Sequence, residues 1–135
     1  RYDRLIAELG GPDLPATGFA IGFDRLAELA GLKAPDLRPK PDLFLAALGE
    51  PARRAAFAWY CGLGERGVRV AMEFGEKSLK SQLKAADREG AAWVLMVGED
   101  ELARGSASLR DMRTKRQREI PLEGLVEKVA AMLCE

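Results

Sequence analysis

The sequence contains no histidine and only two cysteines, and both scarcities exclude kinds of site. Without histidine the chain lacks the commonest general base and a usual ligand of zinc. Cys61 and Cys134 lie far apart and form no paired motif. We therefore expect no metal site, no independent enzyme activity, and two buried, reduced thiols of a cytosolic protein.

Long apolar runs and an excess of one charge are also missing. No run approaches the ~20 apolar residues that a membrane-spanning helix needs, so we expect no membrane partner. The 21 basic residues balance the 21 acidic residues, and overall charge therefore does not mark the chain as a nucleic-acid binder. With 135 residues, of which 47% are hydrophobic, the chain can bury one compact core.

The charges are nevertheless unevenly distributed. Residues 77–118 contain ten Lys and Arg against six Asp and Glu, a local net charge of +4. Residues 119–135 contain four Glu against the single Lys128. A local surplus of this kind steers a polyanion towards one face of a protein.

Three prolines in residues 33–41 predict a linker, because proline fixes φ and removes a backbone donor. Before it, helical spacing predicts short helices over 2–9 and 23–32, with a glycine-bearing strand between them. These elements are too few to close a core. Residues 1–32 are therefore interpreted as the remnant of a larger domain.

After the linker, strand and helix patterns alternate, which predicts right-handed crossovers and a parallel sheet core. The predicted elements are a strand over 42–48, a helix over 51–67, a strand over 68–74, a helix over 78–90, a strand over 91–98, a hairpin over 106–120 and a helix over 122–133. The expected fold is of the α/β class. It has a mixed five-stranded sheet flanked by three helices.

The helix predicted over 78–90 has two distinct faces. Cations recur on one face at spacings of three and four, namely Lys77, Lys80, Lys84 and Arg88. Leu79, Leu83 and Ala86 share another face, which we expect to be buried. The basic stripe is typical of a surface that contacts RNA phosphates, but a solvated helix face has the same pattern.

Phe74 and the hairpin offer further contacts. Phe74 lies at the carboxyl end of a predicted strand, where α/β sheets bind ligands. It can stack on an unpaired RNA base, or it can pack beneath a helix. The hairpin carries several cations, including Arg113, which can contact RNA or simply protect an edge strand from aggregation.

Two N-terminal segments carry a family resemblance. RYDRLIAELGG (1–11) and PATGFAIGFDRLAEL (15–29) resemble the end of the catalytic domain of histidyl-tRNA synthetases, including the third signature motif of class II synthetases. The resemblance implies that Tyr2 lines a histidine pocket and that Gly18 and Gly22 let the chain approach ATP. It also implies that Arg25 is a catalytic ligand of the ATP γ-phosphate.

Residues 68–112 resemble the anticodon-binding domain shared by the synthetases for histidine, threonine, proline and glycine. This resemblance implies a three-layer domain over 42–135 that binds tRNA. With the helix and hairpin patterns, the expected tRNA contacts are Phe74, Lys77, Lys80, Lys84, Arg88 and Arg113.

The first and second signature motifs of the class are absent, so we expect a fragment that is inactive alone and holds no cofactor. The implied parent is a cytoplasmic homodimer that ligates histidine to tRNA with ATP and Mg²⁺. Two alternatives remain open. One is a regulatory paralogue of the synthetase that partners an enzyme of histidine biosynthesis, and the other is a protein-interaction module of the same fold.

Overall fold

The computed structural model describes residues 1–31 and 39–133. The chain forms two compact units, Arg1–Arg38 and Pro39–Glu135. Most of the predicted linker, residues 33–38, lies outside the described residues. Each unit is described here by itself.

The first unit contains two short helices, α1 (Leu5–Glu8) and α2 (Phe23–Leu29). Tyr2 forms an isolated antiparallel bridge with Ala16, in which its N–H donates to the Ala16 carbonyl at 2.9 Å. The prediction of a glycine-bearing strand before α2 is wrong. A strand requires a hydrogen-bonded neighbour, and the described part of this unit supplies none for residues 17–22.

The second unit is a five-stranded sheet with helices on both faces. Its elements are β1 (Leu43–Ala47), α3 (Glu50–Gly64), β2 (Val70–Met72), α4 (Leu79–Glu89), β3 (Trp93–Val97), α5 (Glu99–Arg104), β4 (Ser106–Asp111), β5 (Gln117–Pro121) and α6 (Leu125–Leu133). The strand order is β2-β1-β3-β4-β5. β2, β1 and β3 are parallel, while β4 and β5 are antiparallel to their neighbours. The predicted mixed sheet and fold class are confirmed.

The core has two parts because side chains of a strand alternate between the faces of a sheet. On one face, Leu43 and Leu45 of β1 pack with residues of α3 and α6. On the other face, Phe44 and Ala46 pack with residues of α4 and with Val94. β1 is buried on both sides, which explains its continuous apolar run.

α4 is bounded by clear local signals. The hydroxyl of Ser78 accepts the N–H of Ser81 at 3.4 Å and caps the amino end. Gly90 ends the helix in the left-handed region at φ 71°, which glycine adopts without strain. These signals place the predicted basic stripe on a helix of 11 residues beside the sheet.

Candidate nucleic-acid interface

A basic groove of about 750 Å³ runs between α4 and the β4–β5 hairpin. We define the basic groove by its lining residues, which are Leu79, Lys80, Leu83, Lys84, Asp87, Arg88, Arg110, Met112 and Lys115. Five of these carry positive charge and one, Asp87, carries negative charge, so the net charge of the lining is +4. Lys115 Nζ lies 3.7 Å from Asp87 Oδ1. The groove concentrates much of the basic surplus of residues 77–118.

Arg110 lies on β4, where it pairs with Val94 of β3 and Gln117 of β5. Its Nε is buried and has no hydrogen-bond partner among the described residues. A buried donor without a partner lowers stability, and a guanidinium fork matches the oxygens of a phosphate. An anionic oxygen in the basic groove would therefore satisfy Arg110.

The structure joins two sets of cations that the sequence presents separately. Lys80, Lys84 and Arg88 of the predicted helix stripe line the basic groove, and Arg110 and Lys115 of the hairpin face them. Lys77 precedes the helix and is exposed outside the lining. Arg110 is one of the hairpin cations predicted as possible RNA contacts, but it is not among the six expected tRNA contacts. Arg110 alternates with Ser106 and Ser108 along β4, which indicates that the three side chains share one face of the sheet. Which residues Arg110 meets on that face depends on the register of β4 against β3.

The buried face of α4 differs from the predicted one. The fully buried residues are Gln82, Ala85 and Ala86, whereas Leu79 and Leu83 are half-buried and form an apolar floor of the basic groove. The prediction is confirmed for Ala86 and in part for the two leucines, which pack against the core cluster around Phe44 but are only half-buried. Burial of Gln82 is tolerated because all its polar atoms are hydrogen-bonded.

Phe74 is exposed over 66% of its surface, so the prediction that it packs beneath a helix is wrong. It stands in an aromatic cluster with Phe57 and Tyr60 of α3. The Phe74 ring centroid lies 6.3 Å from that of Phe57 and 6.1 Å from that of Tyr60, both in edge-to-face geometry. The cluster borders a shallow pocket of about 310 Å³ that Arg53 and Arg54 also line.

Arg113 lies in the hairpin turn, outside the basic groove. It lines a separate pocket of about 420 Å³ with Asp87 and Trp93. The Asp111 carboxylate accepts the backbone N–H groups of Thr114 and Arg113 at 3.0 and 2.7 Å. These bonds, that of Thr114 foremost, lower the pKa of Asp111 and hold the turn in one conformation.

In the first unit, the expected ATP and histidine residues fall into two neighbouring pairs. A Cβ at Gly18 would lie 3.6 Å from the Tyr2 ring, and one at Gly22 would lie 3.8 Å from the Arg25 side chain. Gly22 is the N-cap of α2, and Arg25 lies in the first turn. Their assignment to ligands stays a prediction.

Other kinds of site find little support in the described ranges. Residues 1–31 and 39–133 contain no group of three side chains that could hold a metal ion. Cys61 is a free thiol and is exposed, so the prediction of a buried thiol is wrong at this position. Cys134 lies outside the described residues. Within those residues, no helix combines the length and apolar character needed to cross a membrane.

The sheet topology and the basic groove together define an α/β domain suited to a polyanion. Residues 42–132 match the family described as the anticodon binding domain. Because the match spans more than half of the chain, the chain belongs to this family.

Curated relatives agree with the N-terminal resemblance. The chain is 53% identical over 133 residues to the histidine–tRNA ligase of Desulfatibacillum aliphaticivorans, covering 98% of this chain and 32% of the relative. It is 48% identical over 133 residues to that of Geobacter sulfurreducens, covering 98% and 31%. The resemblance to histidyl-tRNA synthetases is confirmed, and the chain spans about a third of the length of these relatives.

Solved structures show the same fold. The apo histidyl-tRNA synthetase of S. aureus superposes with a TM-score of 0.65 at 30% identity, over 96% of this chain and 34% of that chain. The RNA binding domain of threonyl-tRNA synthetase from Cryptosporidium parvum gives a TM-score of 0.59 at 18% identity, over 70% and 24%. The second similarity concerns the fold alone.

Proposed function

We propose that the second unit binds the anticodon arm of a tRNA in the basic groove. The observation that carries this proposal is Arg110, which lines the groove with four further cations and whose buried Nε has no partner among the described residues. RNA phosphates supply the anionic oxygens that such a surface lacks, and cations that neutralise them gain affinity by releasing counterions. Membership of the anticodon-binding family supports RNA as the polyanion.

Within this proposal the contacts divide by chemistry. Lys80, Lys84 and Arg88 point from one helix into the groove and neutralise the RNA backbone. Lys77 extends the same stripe beyond the amino end of α4, and Arg113 contributes from the hairpin turn. These contacts fix position and orientation, and they carry little sequence information by themselves.

Phe74 has a different role in the proposal. Its exposed ring offers a face to an unpaired base, because stacking on an aromatic side chain is the common way in which proteins hold single-stranded RNA. Phe57 and Tyr60 support the ring from the side and leave it open to solvent. The anticodon loop supplies unpaired bases for such a platform.

We propose that the whole protein ligates histidine to its tRNA, with ATP and its Mg²⁺ as a substrate. We also propose that it acts in the cytoplasm as a homodimer. The relatives named histidine–tRNA ligase support this proposal, and this chain alone is expected to be inactive. In the complete enzyme, Tyr2 would line the histidine pocket, and Gly18 and Gly22 would allow close approach of ATP. Arg25 would hold the γ-phosphate through its guanidinium fork.

The test is fluorescence anisotropy with labelled histidine tRNA at several salt concentrations. The wild-type chain is expected to bind, with an affinity that falls steeply as salt rises. The double variant Lys80→Ala plus Lys84→Ala is expected to weaken binding and to flatten the salt slope by about one for each lost phosphate contact. Lys128→Ala on α6 is the matched control, because Lys128 lies outside the lining of the groove.

Three outcomes would contradict the proposal. Absence of binding by the wild type would favour a protein-interaction module or a regulatory paralogue. Equal salt slopes for the wild type and the double variant would show that the basic stripe of α4 is a solvated helix face that makes no phosphate contact. Equal losses for the double variant and Lys128→Ala would indicate a diffuse charge effect without a defined groove.

A further inference from the structure

Among the described residues, Gln82 is the one polar residue that is buried, with 1% of its surface exposed. It lies on α4 and faces the carboxyl end of β1. We infer that Gln82 is a positioning residue that sets the rotation of α4 on the sheet and thereby directs Lys80 and Lys84 into the basic groove. The RNA-binding consequence of this inference rests on the proposed function, whereas its structural consequence does not.

The amide of Gln82 is completely used by backbone partners. Its Oε1 accepts the N–H of Ala47 at 3.1 Å. Its Nε2 donates to the Ala47 carbonyl at 2.8 Å and to the Lys77 carbonyl at 2.9 Å. One side chain thus joins the last residue of β1, the helix α4, and the segment that leads from β2 into α4.

Apolar packing alone leaves the rotation of α4 weakly defined. The fully buried apolar side chains beside Gln82 are the small Ala85 and Ala86, which pack with Phe44 and Val94, while the larger Leu79 and Leu83 pack against this cluster and stay half-buried. Contacts between small apolar groups are non-directional, so a helix can turn or slide on them at little cost. Hydrogen bonds weaken steeply when their angle changes, and three of them from one amide therefore define a single orientation.

The position of Gln82 explains why its orientation matters for the groove. With 3.6 residues per turn, residues two before and two after a helical position project to nearly the opposite side. Lys80 and Lys84 occupy these positions relative to Gln82. Any rotation of α4 released by loss of these hydrogen bonds would move both ammonium groups together and change their distances from Arg110 across the groove.

The closing experiment compares Gln82→Leu with Leu109→Ala in the full chain. Leu109 is equally buried but lies in the core on the other face of the sheet. We expect both variants to unfold at lower temperature. Only Gln82→Leu should weaken binding of histidine tRNA, on the order of tenfold, and reduce the salt slope by about one. Gln82→Glu keeps the acceptor and loses donors, and it serves as the second variant if Gln82→Leu fails to fold.

Two RNA-free readouts separate failure of the inference from failure of the proposed function. Residual dipolar couplings of the α4 Cα–Hα bonds, which lie across the helix axis and therefore report its rotation, should change in Gln82→Leu and stay constant in Leu109→Ala. The Ala47 amide should exchange faster with solvent in Gln82→Leu, because it loses its acceptor. Unchanged α4 couplings, or a wild-type Kd and salt slope, would overturn the positioning role. If the wild-type chain binds no RNA while the couplings change, the proposed function fails and the positioning role stands.

Discussion

Asp42 and Arg69 join the residues that precede β1 and β2 through their backbones and their side chains together. The Asp42 N–H donates to the Arg69 carbonyl at 2.8 Å. The Asp42 carboxylate accepts the Arg69 N–H at 3.0 Å and the guanidinium through two further bonds. The side-chain bonds to Arg69 lower the pKa of Asp42, with burial opposing them. The pair fixes where the parallel sheet begins.

This pair predicts a specific dependence of stability on pH. Because the pKa of Asp42 is lower in the folded state, its contribution is present above the unfolded value of about 3.9 and is lost as pH falls through the folded value. We expect Asp42→Asn to lower the melting temperature by a few degrees at pH 7, and we expect the difference from the wild type to shrink as pH falls below about 3.9. Thermal unfolding followed by circular dichroism measures both. Glu65→Gln, an exposed carboxylate after α3, is the control, and an equal pH dependence in both variants would contradict the prediction.

Arg110 predicts opposite effects on binding and on stability. Arg110→Ala removes a buried donor that lacks a partner, so the free energy of unfolding should be unchanged or raised. The same variant should weaken tRNA binding by about 1–3 kcal/mol if the guanidinium meets the RNA. Arg110→Lys keeps the positive charge but loses the guanidinium fork, so its affinity for tRNA should fall between those of the wild type and Arg110→Ala. Urea unfolding and anisotropy titrations measure the two effects, with the exposed Lys128→Ala as control. Loss of stability without loss of affinity would assign Arg110 to the fold.

Phe74 predicts a loss of affinity without a change of salt slope. Stacking involves no phosphate, so Phe74→Ala should weaken tRNA binding by about 1–3 kcal/mol for one base while the slope stays at the wild-type value. Phe74→Trp should retain binding. Phe57→Ala removes a supporting ring of the same cluster and should have the smaller effect. Equal binding by Phe74→Ala and the wild type would leave the cluster without a role in RNA recognition.

Gly49 predicts a loss of stability that its backbone angle alone does not explain. Its φ of 86° and ψ of 157° lie in a region that is essentially restricted to glycine, so a residue with a Cβ there costs about 1–3 kcal/mol. A Cβ there would also lie 2.7 Å from Glu99 Oε1, forcing the α5 side chain to move. Gly67 also has a positive φ, 82°, but no atom lies within 4 Å of its Cβ position, so Gly67→Ala is the control without a steric clash. Urea unfolding should show a larger loss for Gly49→Ala, and equal losses would mean that Glu99 moves freely.

The elements that depend on local patterns were predictable from the sequence. The crossovers were predicted from the apolar runs of β1 and β3 and from the helical pattern of α4 between β2 and β3. The antiparallel end of the sheet was predicted from the hairpin pattern. Boundaries shifted by up to three residues, and β2 is shorter than predicted because only three of its residues pair with β1. The predicted strand before α2 failed because a local pattern does not supply a partner strand.

The features that the sequence could not predict depend on distant contacts. Gln82 looks like a surface residue, but the Ala47 groups that satisfy it lie 35 positions earlier in the chain. The exposure of Phe74 depends on how α3 ends beside β2. The place of Arg110 in the basic groove depends on the register of β4 against β3. Periodicity describes one element at a time and is silent about all three.

The two edges of the sheet have a consequence for the behaviour of the protein at high concentration. β2 offers only three residues for pairing, and β5 carries the exposed Arg118 and Glu119 and ends at Pro121. At the β2 edge, another strand could form only a short ladder of hydrogen bonds. At the β5 edge, it would meet exposed charges and a proline that lacks an N–H donor. The domain should therefore resist aggregation through edge-to-edge strand pairing, even when no nucleic acid covers its basic face.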